Sequence, residues 1–271
     1  MKKYIIISIC VLAIILAFLF YPQTFTKKVT AMGTDVQIKT KGNFANNFSD
    51  DKVLKNIETK IVEIDKKVNI KTTKSKLKKL KTIDDLSKIY NIALLANKDT
   101  NGYFNVNYGK DKINLTSIAK SYAMYQASQL AKRDILINSF EDFVAVGQNW
   151  KVDLQDAKSG DKLLTLNVSN NSVCTAGFYL TRNDSPIINP LTGKEPDDTV
   201  LSCTAICDNT ALAKAYAIGL YSSRGKAQDK IIQKLENKGV RVIIVYSNNT
   251  VYISEAVKYS GLKGQYKLCE K

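Results

Sequence analysis

The chain of 271 residues contains no histidine, which is the side chain that most often serves in catalysis and metal binding. Without an imidazole there is no Ser-His-Asp or Cys-His arrangement, no histidine metal site and no imidazole base. The sequence also lacks the glycine-rich fingerprints that bind phosphates in P-loop and dinucleotide-binding proteins. An anion would therefore have to be bound by other groups, such as helix N-termini and lysines.

Cysteine is sparse as well, with five residues. Cys203 and Cys207 are closely spaced, but no histidine joins them, and a four-thiolate zinc site would need two more well-placed partners. We therefore do not expect a metal site at this pair. Cys174, Cys203, Cys207 and Cys269 are either paired in disulfides or buried as free thiols, and the sequence leaves both open.

A long apolar run occurs once, at residues 4–21, after Lys2 and Lys3. A helix of that length spans about 27 Å, close to the ~30 Å of a hydrocarbon core. The run ends in bulky residues without a small-x-small cleavage site, which favours an uncleaved signal anchor over a cleavable signal peptide. The predicted organisation is a cytoplasmic stub at 1–3, a transmembrane anchor at 4–21 and a single domain at 27–271. The protein would then be a single-pass protein of the cell membrane with its domain on the extracytoplasmic side.

The chain is basic, with 40 lysines and arginines against 25 acidic residues. Eight lysines and no acidic residue fall between Lys66 and Lys81. Such a run can contact nucleic acid, anionic lipid, wall polymer or the phosphates of a ligand. No aromatic residue interleaves with these lysines, which favours a solvated face, and we expect no nucleic acid as a partner.

Hydrophobic periodicity and turn residues predict a mixed α+β domain and not a regular βαβ series. Helices are predicted at 49–68, 82–97, 116–133, 208–221 and 224–237, the last one stopped by Gly239. Strands are predicted at 29–40, within 135–152, and at 163–168, 172–180 and 200–207. A hairpin of 240–246 and 250–254 around Asn248-Asn249 follows.

Two of the predicted helices begin with residues suited to anion binding, at Thr116-Ser117 and at Asp208-Asn-Thr210. Lys120 and Lys214 follow about one turn into these helices. If both helix starts face one cleft, a diphosphate would meet N–H donors and two ammonium groups there. Spacing alone favours ordinary exposed helix lysines over this arrangement.

Six segments resemble, in their order along the chain, the motifs of ApbE-type FAD:protein FMN transferases. They are Ala31-Met-Gly-Thr34, Leu115-Thr-Ser-Ile-Ala-Lys-Ser-Tyr-Ala123, Ile137 to Trp150 with Asp142 and Gly147, Thr175-Ala-Gly-Phe-Tyr179, Ile187-Ile-Asn-Pro-Leu-Thr-Gly193 and Ala211-Leu-Ala-Lys-Ala-Tyr-Ala-Ile-Gly219. No single motif is specific, whereas the six in this order are. The resemblance covers about residues 29–253.

The resemblance implies a T-fold-like α+β domain that binds FAD and uses Mg²⁺ to split its diphosphate. It also implies transfer of FMN to a threonine of an extracytoplasmic flavoprotein or redox-complex subunit. The cofactor-binding residues that it implies are Met32, Asn114, Ser117, Lys120, Thr175, Tyr179, Ile188 and Thr210. Ser117, Thr210 and Lys214 occupy the positions at which members of the family hold Mg²⁺.

Several of these family positions carry different chemistry in this chain. An aspartate and a threonine that bind the metal are replaced by Thr210 and Lys214, and an ammonium group does not ligate a metal. Further replacements are Pro186 for a histidine, Asn189 for an aspartate, and Phe140-Glu141 for a glycine pair. No metal site is therefore assigned, and Lys214 is the catalytic candidate that would supply positive charge in place of the ion.

Three interpretations remain. In the first, the protein is an active FMN transferase. In the second, it is a catalytically inactive relative that binds FAD, FMN or a flavoprotein partner at the membrane surface. In the third, it is a structural or wall-associated basic protein that has lost the nucleotide pocket. The resemblance favours a transferase at the level of the family, and the replaced metal ligands favour the second interpretation for this chain.

Overall fold

The computed structural model describes residues 2–31, 33–43, 47–68, 72–73, 85–108, 112–132, 134–177 and 187–270. The helices in these ranges are α1 (Lys2–Phe20), α2 (Asn47–Val68), α3 (Asp85–Asp99), α4 (Thr116–Ser128), α5 (Thr210–Ser222) and α6 (Gly225–Glu236). The strands are β1 (Gln23–Ala31), β2 (Thr34–Gly42), β3 (Thr72–Thr73), β4 (Lys112–Ile113), β5 (Ile135–Ser139), β6 (Asp142–Val146), β7 (Trp150–Gln155), β8 (Lys162–Val168), β9 (Asn171–Gly177), β10 (Val200–Cys207), β11 (Arg241–Tyr246), β12 (Thr250–Ile253), β13 (Tyr259–Ser260) and β14 (Lys267–Leu268). The mixed α+β class predicted from periodicity is confirmed.

A nine-stranded sheet forms the centre of the fold, in the order β1-β2-β5-β6-β9-β10-β11-β12-β14. Its neighbouring strands are antiparallel, except that β12 and β14 are parallel. A smaller sheet contains β13, β8 and β7, and β3 pairs with β4.

The two faces of the central sheet are covered by different elements. Successive side chains of a strand point to opposite faces. In β11, Val242 and Ile244 therefore pack in the cluster that holds the buried faces of α3 to α6, whereas Ile243 and Val245 pack with residues of the smaller sheet. A third cluster joins α2 to β1, β2 and β5. The helices α4 and α5 thus lie on the helical face, with their N-terminal ends near β6 and β9.

The prediction of one strand at 29–40 is wrong, because the chain turns back on itself there. β1 and β2 pair as an antiparallel hairpin in which Ala31 lies opposite Thr34. Gly33 in the connection has a φ of +71°, a conformation that glycine adopts without a side-chain clash. The apolar pattern continues through both strands, and it does not reveal the two-residue turn between them.

The helix predicted at 208–221 begins two residues later in the structure, at Thr210, because Asn209 caps it. The side-chain oxygen of Asn209 accepts hydrogen bonds from the backbone N–H groups of Ala211 and Leu212, at 3.0 and 3.1 Å. This leaves Thr210 as the first helical residue. The helix predicted at 116–133 ends earlier, at Ser128.

The basic run between Lys66 and Lys81 is only partly described. Lys66 and Lys67 lie in the last turn of α2, and the ammonium group of Lys67 pairs with Glu63 at 2.5 Å and with Asp85 at 3.6 Å. The other lysines of the run lie outside the described residues, as does the predicted start of α3 at 82–84.

The predicted anchor coincides with α1, in which the side chains of residues 2, 3, 5 and 6 lie outside the described ones. Among the parts of the chain that the structure describes, no helix has both the length and the apolar character needed to cross a membrane. The anchor at 4–21 stays a prediction.

All five cysteines are free thiols in the structure. Cys174, Cys203 and Cys207 are buried between the central sheet and the helices. Burial raises the pKa of the Cys207 thiol to about 12, so this group is protonated at neutral pH. The sequence left open whether these cysteines form disulfides or are buried free thiols, and in the structure Cys174, Cys203 and Cys207 are buried free thiols.

Gly147 lies in the connection between β6 and β7, at a φ of +84°. A Cβ atom at this position would lie 1.8 Å from Oδ1 of Asp134. We expect Gly147→Ala to lower the free energy of unfolding by about 2 kcal/mol or more, since left-handed strain and a steric clash add together. The control is Gly160→Ala, at a φ of +76° with nothing within 4 Å of the added atom, which should lose only the strain of about 1 kcal/mol. Equal losses in urea denaturation would contradict the steric contribution.

Candidate functional site

A cleft of about 500 Å³ opens beside the first turn of α4 and beside Lys214 and Ile218 of α5. Five of the residues singled out in the sequence line it, namely Asn114, Ser117, Lys120, Ile188 and Lys214. They come from three separate stretches of the chain, and the fold brings them together. Spacing alone favours exposed helix lysines, but the structure instead brings Lys120 and Lys214 to one cleft.

Asn114 holds the start of α4 in place. Its side-chain oxygen accepts hydrogen bonds from the backbone N–H of Thr116, at 3.1 Å, and from the Thr116 hydroxyl. Ser117 follows in the first turn with an exposed side chain. Asn114 therefore positions the helix start that faces the cleft, and the Ser117 hydroxyl is accessible to a ligand.

Lys214 lies deeper, with 14% of its side chain exposed. Its Nζ atom donates a hydrogen bond to the backbone oxygen of Thr175 at 2.7 Å. It also lies 3.5 Å from Oε2 of Glu141 and 3.1 Å from Oδ1 of Asp142. The contact with Asp142 is an ion pair without the angle of a hydrogen bond, since this Oδ1 has no hydrogen-bond partner. The ammonium group of Lys214 is thus bound by protein oxygens.

Asp142 connects the two lysines. Its side chain is fully buried, and Oδ2 accepts a hydrogen bond from the Ser121 hydroxyl at 2.8 Å. The same oxygen lies 3.8 Å from Nζ of Lys120. Lys120 is 22% exposed and makes a further long hydrogen bond, of 3.5 Å, to the backbone oxygen of Ser139. Lys120 is therefore the more weakly held of the two ammonium groups.

The protonation states follow from burial and from the neighbouring charges. Burial raises the pKa of Asp142, but Lys214, Lys120 and the Ser121 hydroxyl outweigh it, so that this pKa lies below its usual value. For Glu141 burial outweighs the charge of Lys214, and its pKa lies above its usual value. Burial lowers the pKa of Lys214, but Asp142 and Glu141 more than offset this and raise it. Lys214 is therefore an ammonium group at neutral pH.

Thr210 lies away from the cleft lining. Its side chain is fully buried, and its hydroxyl forms a hydrogen bond of 2.7 Å with the hydroxyl of Ser172 in β9. Thr210 thus joins α5 to the central sheet. Its position in the sequence suggests a ligand-binding residue, whereas its contacts are those of a packing residue.

Thr175 lines a second cavity of about 270 Å³, and Glu141 lines this cavity as well as the cleft. Its hydroxyl forms a hydrogen bond of 2.8 Å with that of Thr204 in the next strand. Only the backbone oxygen of Thr175 reaches Lys214. Met32 and Tyr179, also implied as cofactor-binding residues, lie outside the described residues, as does Pro186.

Glu141 was not among the predicted site residues, although it lines both cavities. The signal for it is the replacement of a glycine pair by Phe140-Glu141. Phe140 adopts a φ of +58°, which is rare for a bulky residue, and its side chain is 62% exposed. The backbone therefore keeps a conformation suited to glycine, while Glu141 adds a carboxylate at the cleft.

Asn189 replaces an aspartate of the family motif and holds the loop at one edge of the cleft. Its side-chain nitrogen donates to the backbone oxygen of Ser222 at 3.1 Å, and its side-chain oxygen accepts from the N–H of Leu191 at 2.9 Å. An amide provides both the donor and the acceptor that these contacts need. Asn189 therefore orients Ile188 beside the cleft without carrying a charge.

The residues present do not fit Mg²⁺. This ion requires close to six oxygen ligands at 2.0–2.1 Å, but the oxygens of Glu141, Asp142 and Thr175 enclose the ammonium group of Lys214. Within the described residues there is no group of three or more acidic or cysteine side chains that could hold a metal. Positive charge in this cleft comes from lysines.

Comparisons with known proteins agree on the fold. The sequence profile of the ApbE family matches residues 110–244, and no curated protein matches the chain. The ApbE protein from Thermotoga maritima has a TM-score of 0.68 at 19% identity, covering 86% of this chain and 97% of its own. The flavin transferase ApbE from Vibrio cholerae has a TM-score of 0.63 at 14% identity, covering 87% and 98%. The flavinyl transferase ApbE from Pseudomonas stutzeri has a TM-score of 0.61 at 13% identity, covering 90% and 96%.

Proposed function

Because this chain belongs to the ApbE family, we propose that its cleft binds FAD and that the protein transfers FMN from FAD to a threonine of an extracytoplasmic flavoprotein. In this step the threonine oxygen forms a bond to the FMN phosphorus. The bond from that phosphorus to the bridging oxygen of the diphosphate breaks, AMP leaves, and the hydroxyl proton is released. The acceptor is the flavoprotein or redox-complex subunit. The predicted anchor at 4–21 would hold the domain beside this acceptor, on the extracytoplasmic side of the cell membrane.

The observation that carries the proposal is that Lys120, Ser117 and the N-terminal end of α4 all line one cleft. Lys120 has a partly exposed ammonium group with one weak ion pair and one long hydrogen bond. An ammonium group in such a position is a point charge that binds phosphate well. The Ser117 hydroxyl and the positive end of the helix dipole add to it. The volume of about 500 Å³ lies within the range of small-molecule sites.

The position of Lys214 favours a second candidate function, which is flavin-nucleotide binding without transfer. Its ammonium group is bound to Thr175, Glu141 and Asp142. It is therefore not free to neutralise the negative charge that develops on the leaving phosphate. Phosphoryl transfer depends on charges placed against both the transferred and the leaving oxygens. In this candidate the protein binds FAD or FMN, or presents it to a flavoprotein partner.

The contribution of Lys120 can be measured with the full-length chain. We expect Lys120→Ala to weaken FAD binding roughly 10- to 100-fold, because a charge-assisted hydrogen bond contributes about 1.5–3 kcal/mol. Fluorescence titration of FAD gives the affinity. The matched control is Lys230→Ala, which removes an exposed lysine of α6 away from the cleft and should leave the affinity unchanged.

The two candidate functions separate in an assay of covalent FMN on an extracytoplasmic flavoprotein acceptor. FAD binding together with covalent FMN supports the transferase. FAD binding alone supports the second candidate. If wild-type protein fails to bind FAD, or if Lys120→Ala and Lys230→Ala bind it equally well, the cleft is not the flavin site.

A further inference from the structure

Lys214 fills a position with the surroundings of a bound cation. Its Nζ atom is enclosed by the backbone oxygen of Thr175 at 2.7 Å, Oδ1 of Asp142 at 3.1 Å and Oε2 of Glu141 at 3.5 Å. The oxygens come from two neighbouring strands, β6 and β9, and from the turn before β6. Two carboxylates and a carbonyl are hard oxygen donors, the type that Mg²⁺, Mn²⁺ and Ca²⁺ prefer.

We propose that these three oxygens form a latent divalent-cation site, which this chain has closed with the ammonium group of Lys214. The cleft then has a tethered cation and works without a metal ion. This inference deepens the proposed function, because it says which cation stands in the flavin-nucleotide cleft. Its main test nevertheless requires no flavin.

The way in which the buried Oδ1 of Asp142 is paired also points to a cation. Asp142 is fully buried, and this oxygen has no hydrogen-bond partner although the ammonium group lies 3.1 Å away. A buried carboxylate oxygen without a directed donor is costly in a site built for hydrogen bonding. A metal ion satisfies such an oxygen by its charge, because no donor hydrogen has to point at the oxygen.

The charges of the cluster show what would happen without the lysine. Lys120 and Lys214 balance Glu141 and Asp142, so that the four groups are neutral together when all are ionised. Replacing Lys214 by a neutral residue leaves two carboxylates against one ammonium group, in a site where Asp142 is fully buried. A divalent cation would supply the missing positive charge. Threonine at this position would also add a hydroxyl as a fourth oxygen.

The test compares Lys214→Thr with Lys214→Met in the full-length chain, using Mn²⁺ as the probe. We expect Lys214→Thr to bind one Mn²⁺ with an affinity at least about 100-fold above that of the wild type. Isothermal titration and the loss of the free-ion Mn²⁺ signal in electron paramagnetic resonance measure it. Lys214→Met removes the same charge but fills the space with a thioether, so that it should bind no better than the wild type.

A second substitution ties the binding to the proposed ligands. In the double variant Lys214→Thr with Asp142→Asn the gained affinity should disappear. Saturating Mn²⁺ should also raise the melting temperature of Lys214→Thr and leave that of Lys214→Met unchanged, because a ligand stabilises only the folded state that it binds. If Lys214→Thr folds only when Mn²⁺ is present, that outcome likewise supports the site.

Three results would overturn the proposal. The first is a folded Lys214→Thr that binds Mn²⁺ no more tightly than the wild type or the double variant. The second is a Lys214→Thr that Mn²⁺ fails to fold or to stabilise. The third is a wild-type protein whose FAD affinity rises about tenfold or more with Mg²⁺ over that in a chelator. The Mn²⁺ measurements stand apart from flavin binding, so that a protein that binds no FAD would refute the proposed function and leave the latent site to be judged separately.

Discussion

Asp142→Asn is expected to lower the free energy of unfolding by about 3–5 kcal/mol at pH 7, because it removes one partner from a buried ion pair. Asparagine keeps the shape of the side chain but leaves Glu141 as the one carboxylate paired with Lys120 or Lys214 among the described residues. It also places an amide where Oδ1 now faces an ammonium group. Urea denaturation followed by circular dichroism gives the loss.

The control for Asp142→Asn is Asp198→Asn, which removes the same charge from an exposed loop residue. Its effect should stay within about 0.5 kcal/mol. Because the pKa of Asp142 is lowered in the folded state, its charge stabilises the fold at pH values above the unfolded pKa. This contribution is lost as the pH falls through the folded pKa. A loss for Asp142→Asn no larger than that for Asp198→Asn would show that the cluster does not stabilise the fold.

Asp156→Asn is the other change from which we expect a large loss, of at least about 2 kcal/mol at neutral pH. The buried carboxylate of Asp156 organises the connection between β7 and β8. It accepts hydrogen bonds from the Tyr266 hydroxyl at 2.7 Å, the Lys263 ammonium group at 2.9 Å and the backbone N–H of Lys158 at 2.9 Å. Asparagine removes the charge and keeps one acceptor oxygen, so that several of these donors lose their partner.

The pH dependence gives a sharper test of Asp156. Burial alone raises its pKa, but the contacts with Lys263, Lys158 and Tyr266 outweigh burial and lower the pKa from 3.8 to about 2. The stabilisation is therefore complete above pH ~4 and is lost as the pH falls towards ~2. The stability difference between wild type and Asp156→Asn should shrink over this interval. Asp161→Asn is the control, since Asp161 contacts the same Lys263 at 3.5 Å but is 74% exposed, and it should change stability by under about 1 kcal/mol.

The central elements could be predicted from sequence because their signals are local. The strand at Val200–Cys207 is an apolar run, and α6 ends near Gly239, which has the expected positive φ of +78°. The hairpin of β1 and β2 was read as one strand, since both strands have the same alternating pattern and the turn needs only two residues. The predicted start of α5 differs by two residues because it depends on which residue caps the helix, and that residue is Asn209.

The candidate site was predicted in part. The sequence placed Lys120 and Lys214 near two helix starts, and the structure shows both in one cleft. It did not indicate Glu141, whose carboxylate reaches Lys214 across 73 residues of chain. Nor did it indicate that the Thr210 hydroxyl would be used by Ser172 in packing. Contacts between residues so far apart depend on how strands pair, and spacing along the chain does not reveal them.

The amino-acid sequence alone determined that histidine chemistry is absent, that the domain is mixed α+β, and, through the order of six motifs, which family the chain resembles. Those properties depend on residue types and on local periodicity. The tertiary structure decided which charges are available to a ligand. It buries Lys214 against Asp142, Glu141 and Thr175, and it leaves Lys120 partly exposed. The reason is physical, because the effect of a charge depends on its burial and on its partners, which only the packed chain brings together.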